Sequence, residues 1–185
     1  VTAKAAGTAV IMATSAAGKT AQYKLTVKTP SVKLNVSAKT LYVKGTPATV
    51  TLKTTTAGVT GKVTYTSSKS SVASVDAKGK VTAASAGTAV ITAKCGNYKA
   101  TCKITVKKPT VKATASVNTL FVGGTSQVKV DRTGLTGKVT YGSSSKSVAT
   151  VSTSGKITAK KAGTATITVK CGSYKATCKI TVKKG

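Results

Sequence analysis

The segment GKVTAASAGTAVITAKCGNYKATCKITVKKP (Gly79 to Pro109) returns 76 residues later as GKITAKKAGTATITVKCGSYKATCKITVKKG (Gly155 to Gly185). Such self-similarity constrains the fold more than any local propensity, because each copy must be one structural unit with a face to bury. The opening VTAKAAGTAVIMATSAAGKTAQYKLTVKTP (Val1 to Pro30) is a third copy of the same C-terminal portion. Upstream, TLYVKGT (Thr40 to Thr46) matches TLFVGGT (Thr119 to Thr125) at an offset of 79, so the last copy lacks three residues before its GKVTY. A loop is expected there. The chain therefore divides into residues 1–30, the tail of one repeat, and two full repeats at 31–109 and 110–185.

Thr and Val recur throughout, which favours strands. In the middle repeat the alternation and turn residues predict strands near 32–36, 40–43, 48–54, 62–66, 71–75, 79–83, 87–95 and 100–107. Repeats of under 80 residues with that many short strands suit a two-sheet sandwich better than a propeller blade or a solenoid rung. With 4% aromatic residues and no Trp, the cores must be built from Val, Ile, Leu and Ala. The longest apolar run, Ala9 to Ala13, falls far short of the roughly 20 residues that span a bilayer. No membrane span is expected. The N-terminus carries neither an initiating Met nor a signal-peptide pattern, and the sequence reads as a piece of something longer.

The charge balance excludes most enzyme classes. There are 30 Lys plus Arg, two Asp plus Glu and no His, a formal net charge of +28. General acid/base catalysis needs a His or a tuned carboxylate, and the only acidic side chains are Asp76 and Asp131, one in each full repeat. Ser-His-Asp, Cys-His and paired-carboxylate mechanisms all lack members. Carboxylate-rich Ca²⁺ or Mg²⁺ cages and imidazole-based transition-metal sites lack them too. No catalytic residue, cofactor or metal is expected.

Three segments together carry a family resemblance: TLYVKGT, then KVTYTSSKSSVASVDAKGKVTAASAGTAVITA, then YKATCKITV. They are similar to the bacterial immunoglobulin-like domain of group 2 (Big2), whose pattern runs from an L-x-V-G strand through an aromatic before Ser-Ser, S-V-A-x-V and G-x-V-T-A to A-G-T-A-x-I-T. The likeness covers both full repeats and, in part, residues 1–30. Where the family usually has a strand Trp, this chain has Tyr65 and Tyr141. The resemblance implies an all-β fold of tandem immunoglobulin-like sandwiches, two complete and one partial at the N-terminus. It also implies a place on bacterial surface proteins, adhesins or phage virion proteins, hence an extracellular location. Both tyrosines are expected to be at least partly buried.

The cysteines invite a test by register. If the last hairpin of the middle repeat pairs residues whose numbers sum to 197, Cys95 faces Cys102; a sum of 349 likewise sets Cys171 against Cys178. Each pair is then either a cross-strand disulfide or two buried thiols. An extracellular chain favours the disulfide, which for so short a loop contributes on the order of 2.5 kcal/mol. Zinc fits poorly, because Cys-x6-Cys is not a knuckle spacing. In the first copy the equivalent positions carry Ser15 and Tyr23.

Three other features weigh less. AAGKT (Ala16 to Thr20) imitates the end of a P-loop but lies in a hairpin, where it is a turn. The sequon Asn35-Val36-Ser37 falls within an expected strand. Tyr98 and Tyr174, each followed by a lysine (Lys99, Lys175), occupy equivalent hairpin tips and would make a small aromatic-basic contact surface, against the plainer reading of solvated turn residues.

The lysines alternate along strands (Lys24, Lys28; Lys103, Lys107; Lys179, Lys183) and face solvent, where they guard sheet edges. Edge protection does not account for the missing acids. A charge this large attracts polyanions, such as cell-wall polymers or acidic glycans, while sequence-specific nucleic-acid reading, which favours Arg and aromatics, is not expected. The leading expectation is a structural spacer or stalk whose partners are neighbouring repeats of the same protein or of another copy. An adhesin module binding polyanions through lysine-rich faces and a phage virion decoration module are the alternatives.

Overall fold

The computed structural model describes residues 1–185 and contains nineteen strands and no helix. No helix is therefore long and apolar enough to cross a membrane. Compactness divides the chain into two units, one of Val1–Lys39, Val50–Thr82 and Thr88–Thr105, the other of Thr40–Thr49, Ala83–Gly87 and Val106–Gly185. No sheet mixes strands from before Pro109 with strands from after it.

Strands β1 (Gly7–Thr14) and β2 (Thr20–Val27) form an antiparallel hairpin that pairs with nothing else. Residues 31–107 carry β3 (Ser31–Leu34), β4 (Ala38–Tyr42), β5 (Thr49–Thr51), β6 (Thr54–Ala57), β7 (Thr64–Ser67), β8 (Ala73–Val75), β9 (Lys80–Ala83), β10 (Gly87–Cys95) and β11 (Tyr98–Lys107). They assemble as β4-β11-β10-β7 on one side and as β3-β6 and β5-β9-β8 on the other. The last repeat carries β12 (Thr110–Ala115), β13 (Thr119–Phe121), β14 (Thr125–Thr133), β15 (Val139–Ser143), β16 (Ala149–Val151), β17 (Lys156–Ala159), β18 (Gly163–Cys171) and β19 (Tyr174–Lys183). Its sheets are β12-β14-β17-β16 and β13-β19-β18-β15. All neighbours in these two sheets are antiparallel except β13 and β19, which run parallel. This is the strand arrangement of an immunoglobulin-type sandwich.

The expected strand at 48–54 is the clearest departure from the sequence reading. It divides into β5 and β6 at Leu52 and Lys53, where a side-chain oxygen stands in for a backbone partner. Leu52 is buried and donates its N–H to the Gly79 carbonyl, while Lys53 donates its N–H to Asn35 Oδ1 at 2.9 Å. In the last repeat the same segment is the single strand β14. The sequon is displaced too: β3 ends at Leu34, so Asn35 lies in the bend before β4 with its side-chain oxygen engaged. The three residues missing from the last repeat fall in the turn between β4 and β5. The Ala83 N–H reaches the Ala48 carbonyl as the Ala159 N–H reaches that of Gly124, which fixes the equivalence on the far side of that turn.

Alternation places the small and branched apolar residues inward. The last repeat's core joins Val128, Ala149, Ile157 and Ala159 of one sheet to Leu120, Ala165, Ile167, Val169, Ile180 and Val182 of the other. The middle repeat buries their counterparts Leu52, Ala73, Val81, Leu41, Ala89, Ile91, Ala93, Ile104 and Val106. Tyr141 packs against the edge of the last core, and Tyr65 is half-buried at the equivalent position, as expected from the strand that carries an aromatic. The Tyr65 hydroxyl bonds Thr54 Oγ1 at 2.7 Å. Each ring lies over a glycine with positive φ: a Cβ on Gly79 (φ +80°) would sit 2.9 Å from Tyr65 Cζ, and one on Gly155 (φ +83°) 3.0 Å from Tyr141 Cζ. Glycine is needed there both for its backbone and for its missing side chain.

The paired serines after the aromatic strand join its end to the neighbouring elements. Ser67 Oγ donates to the Ala73 carbonyl at 2.6 Å and Ser68 Oγ accepts the Val90 N–H at 2.9 Å. Ser143 and Ser144 repeat both bonds, to the Ala149 carbonyl and from the Thr166 N–H.

Replacing Ile167, which is fully buried, by Ala should lower stability by about 2–5 kcal/mol. Gly155→Ala should cost about 1–3 kcal/mol through backbone strain and the Tyr141 contact. Thr164→Ala, on the exposed face, should stay within about 0.5 kcal/mol. Denaturant unfolding of the three variants checks the ranking.

Candidate functional site

The longest strand of each full repeat, β11 or β19, lies in its last hairpin. In the last repeat β18 and β19 pair from Gly163↔Val182 to Cys171↔Tyr174. Because side chains alternate, Thr164, Thr166, Thr168 and Lys170 lie on one face with Lys175, Thr177, Lys179 and Thr181. The opposite face carries Ala165, Ile167, Val169, Ile180 and Val182, all core residues. The pairing β13–β19 sets Phe121 beside Lys183, and β15–β18 sets Thr140 beside Lys170. The result is a threonine-lysine sheet face with lysines at every fourth position of β19, about 13 Å apart. Strand β11 repeats the spacing with the exposed Lys99, Lys103 and Lys107.

Little neutralises this charge. Lys170 stands directly opposite Lys175, a like-charge cross-strand pair of the kind that destabilises a sheet. Asp131 meets Lys129 at 4.0 Å, with both side chains largely exposed. Asp76 is occupied by the turn between β8 and β9, where one carboxylate oxygen accepts the N–H groups of Lys78 and Lys80, each at 2.9 Å. In the last repeat Ser152 does the same work with a hydroxyl, accepting from Ser154 and Lys156. The carboxylate is therefore a turn residue.

The structure separates the tip residues that the sequence suggested as one contact surface. Tyr174 is opposite Cys171 and so lies on the core side of the sheet, half-buried beside a cleft with Gly134, Leu135 and Thr136. Lys175 is opposite Lys170 on the outer side. The same alternation parts Tyr98 from Lys99, both of which are exposed. No aromatic-basic tip is formed; the tip lysines belong to the outer lysine face. Lys170, which the sequence reading missed as their neighbour, was detectable once the strand alternation was continued to the turn.

The disulfide expectation is corrected. All four cysteines are free thiols. The β18–β19 pairs sum to 345, not 349, because the chain reverses in the two residues Gly172 and Ser173, with Gly172 at φ +58°. Such tight hairpins need a positive φ, and the tighter turn lets Tyr174 to Thr177 pair with Cys171 to Thr168. Cys178 consequently faces Ile167, four residues from the partner of Cys171. That is about 13 Å along the strand, beyond the roughly 7 Å Cα separation a disulfide tolerates. The middle hairpin turns in the same two residues, Gly96 and Asn97, with Cys95 and Cys102 both buried. Cys95 Sγ lies 3.4 Å from the Gly61 carbonyl, and Cys171 Sγ is 3.9 Å from an Arg132 guanidinium nitrogen. Desolvation by burial holds the Cys102 and Cys178 thiols above their ordinary range, so they act as small apolar core residues.

Alkylation of the unfolded chain without reductant should label four cysteines, with Cys102, fully buried, labelled most slowly in the native state. Because folding raises its pKa, the stabilising contribution of Cys102 is complete below the ordinary thiol value of 9.0 and is lost as pH rises above it. A Cys102→Ala variant should accordingly show a shallower loss of stability on the alkaline side, read by denaturant midpoints from pH 7 to 10.5.

Comparison with known proteins agrees with this architecture. No curated protein matches the chain. Among solved structures, the S-layer protein rSbsC superposes with a TM-score of 0.52 at 23% identity, covering 88% of this chain and 30% of that one. Domains 1–6 of the surface layer protein SbsC give 0.53 at 21% identity, covering 97% and 35%. The chain thus spans about a third of the length of these structures, and the likeness is one of fold. The family model of the bacterial Ig-like domain matches residues 61–108 and 137–184, together more than half of the sequence. The chain belongs to the bacterial Ig-like domain family.

Proposed function

We propose that this chain is a non-enzymatic structural module of an extracellular bacterial surface protein, in which residues 31–109 and 110–185 are successive folding units of a spacer or stalk. The observation that carries the reading is the parallel pairing of an early strand with the last one. Thr119, Leu120 and Phe121 of β13 pair with Thr181, Val182 and Lys183 of β19. Hydrogen bonds from Val122 N–H to the Lys183 carbonyl and from Thr181 N–H to the Asn118 carbonyl bracket the patch. A force applied through the two ends of the repeat pulls these parallel strands in opposite directions. Their hydrogen bonds are then loaded together in shear instead of opening one at a time. The middle repeat has the equivalent bond from Val43 N–H to the Lys107 carbonyl, and a second from Lys103 N–H to that of Ser37, two residues earlier on each strand than in the last repeat. The motif serines, Asp76, the positive-φ glycines and the thiols are all engaged in holding the fold, which also favours a structural role. The surface location is supported by the family and by the folds it resembles.

A second reading is favoured by the unneutralised outer face. The opposed Lys170 and Lys175 would gain from a bridging anion, so adhesion to an acidic polymer is the adhesin alternative. Binding to a polyanion such as heparin should weaken steeply with salt if charge alone acts. Saturable binding that survives about 0.5 M salt, where screening shortens electrostatic reach to a few Å, and that Lys175→Glu abolishes, favours the adhesin.

Stretching single molecules by their ends tests the spacer. Two separate unfolding events are expected, each adding about 20–25 nm of chain, and Val122→Pro, which removes one bracketing donor, should lower the force of one event only. Smooth extension with no discrete events would contradict a mechanical role.

A further inference from the structure

Gly142 sits inside β15, and none of the internal reasons for a glycine in a strand applies to it. Its φ is not positive. The pairing of β15 with β18 runs unbroken from Val139↔Cys171 to Ser143↔Ile167, so there is no bulge. A Cβ built on it would meet nothing within 4 Å, so no neighbour in the protein needs the room. A strand glycine gives up backbone order and a packing side chain, and in the middle repeat Thr66 holds the equivalent place beside Thr92 of β10. The remaining reason for a glycine inside a strand is close approach by something from outside.

The missing side chain opens a cleft of about 330 Å³ on the outer face of the sheet, with Gly142 as its floor. Thr140 and Ser144 stand on either side along β15, about 13 Å apart, and Thr168 and Lys170 of β18 form the long wall. Ser144 Oγ accepts the Thr166 N–H at 2.9 Å, which fixes the hydroxyl and leaves its proton to donate. Thr140 and Lys170 are exposed and Thr168 is half-buried. Lys170 faces Lys175 across the hairpin, so two ammonium groups stand at one end of the cleft. Asp131, the one acidic side chain of the last repeat, lies on β14 in the other sheet. The volume is at the lower end for small-molecule clefts, the floor is flat backbone, hydroxyls surround it, and the charge is positive and confined to one end. We propose that the cleft over Gly142 binds one acidic sugar unit, its hydroxylated ring lying on the Gly142 backbone and its carboxylate against Lys170 and Lys175. A bare inorganic anion would leave most of the cleft unfilled, and a neutral sugar would leave the ammonium pair unneutralised. The assignment rests on the adhesin reading of this face and adds the class of ligand to it. The middle repeat, with Thr66 over the same ground, is not a second site.

The probes are sodium glucuronate, glucose and inorganic phosphate, titrated into the full chain at a constant ionic strength of about 0.15 M and followed by backbone amide resonances. Glucuronate should shift Gly142, Thr168 and Lys170 with one saturable midpoint, while Thr66, Thr92 and Lys94 stay still. It should bind about ten-fold or more tightly than glucose, because a charged partner strengthens hydrogen bonds, and Lys170→Gln should erase that preference. Gly142→Thr installs the middle repeat's own residue where there is room for it, so its denaturant midpoint should be no lower than the parent's. It should weaken glucuronate by at least about ten-fold by filling the cleft. Equal shifts in both repeats, a midpoint unchanged in Gly142→Thr, or phosphate moving the same amides as strongly would each overturn the proposal. Heparin keeps the two readings apart. Salt-resistant heparin binding that survives Gly142→Thr refutes the cleft and leaves the adhesin. Saturable glucuronate binding at Gly142, in a chain whose heparin binding vanishes with salt, supports the cleft and removes the adhesin.

Discussion

The two-residue turn at the end of each full repeat's last hairpin is the constraint on which most of the structure depends. With Gly172 at φ +58° the strands β18 and β19 pair along nine positions, and that pairing decides which side chains go inward. A shift of one residue would exchange the core for the threonine-lysine face. Ala165, Ile167, Val169, Ile180 and Val182 then meet the opposite sheet, and the burial of these small and branched side chains stands in for the tryptophan the sequence lacks. The same register assigns the thiols to separate places in the core and sets Lys170 against Lys175 outside.

Around that hairpin, polar residues do architectural work that resembles chemistry only in composition. Asp76 and Ser152 close equivalent turns with a carboxylate and a hydroxyl respectively, which is interchangeability a catalytic group would not show. Ser67 and Ser143 join the aromatic strand to the next strand, and Gly79 and Gly155 make room for the tyrosine rings. The strongly basic character resides on the outer faces, where lysine hinders edge-to-edge association and leaves a potential that draws polyanions.

Much of this was legible in the sequence. The repeat offset located equivalent positions before any fold was known, and the composition called for cores of Val, Ile, Leu and Ala. The aromatic positions Tyr65 and Tyr141 were found from the family pattern. Other features depend on geometry that alternation alone does not encode. The sum-349 register kept Cys171 and Cys178 on the correct face but four residues out along the strand, since alternation fixes the face of a residue and not its partner. At the break the Lys53 N–H bonds the Asn35 side-chain oxygen, 18 positions earlier in the chain, a pairing that alternation does not encode. The adjacency of Tyr98 to Lys99 and of Tyr174 to Lys175 suggested a shared surface, whereas neighbours in a strand point to opposite faces.

The register of the last hairpin is the claim to which the core, the thiols and the outer face are all tied. Proton NMR of the folded chain measures it directly through short Hα–Hα contacts across the two strands. In an antiparallel ladder these appear at alternate pairs, where the Cα atoms approach to about 4.5 Å. The account predicts them within the set that sums to 345, such as Thr168 with Thr177 and Thr166 with Lys179. Contacts in the set that sums to 349, such as Thr168 with Thr181, would contradict it and return Cys171 and Cys178 to bonding distance.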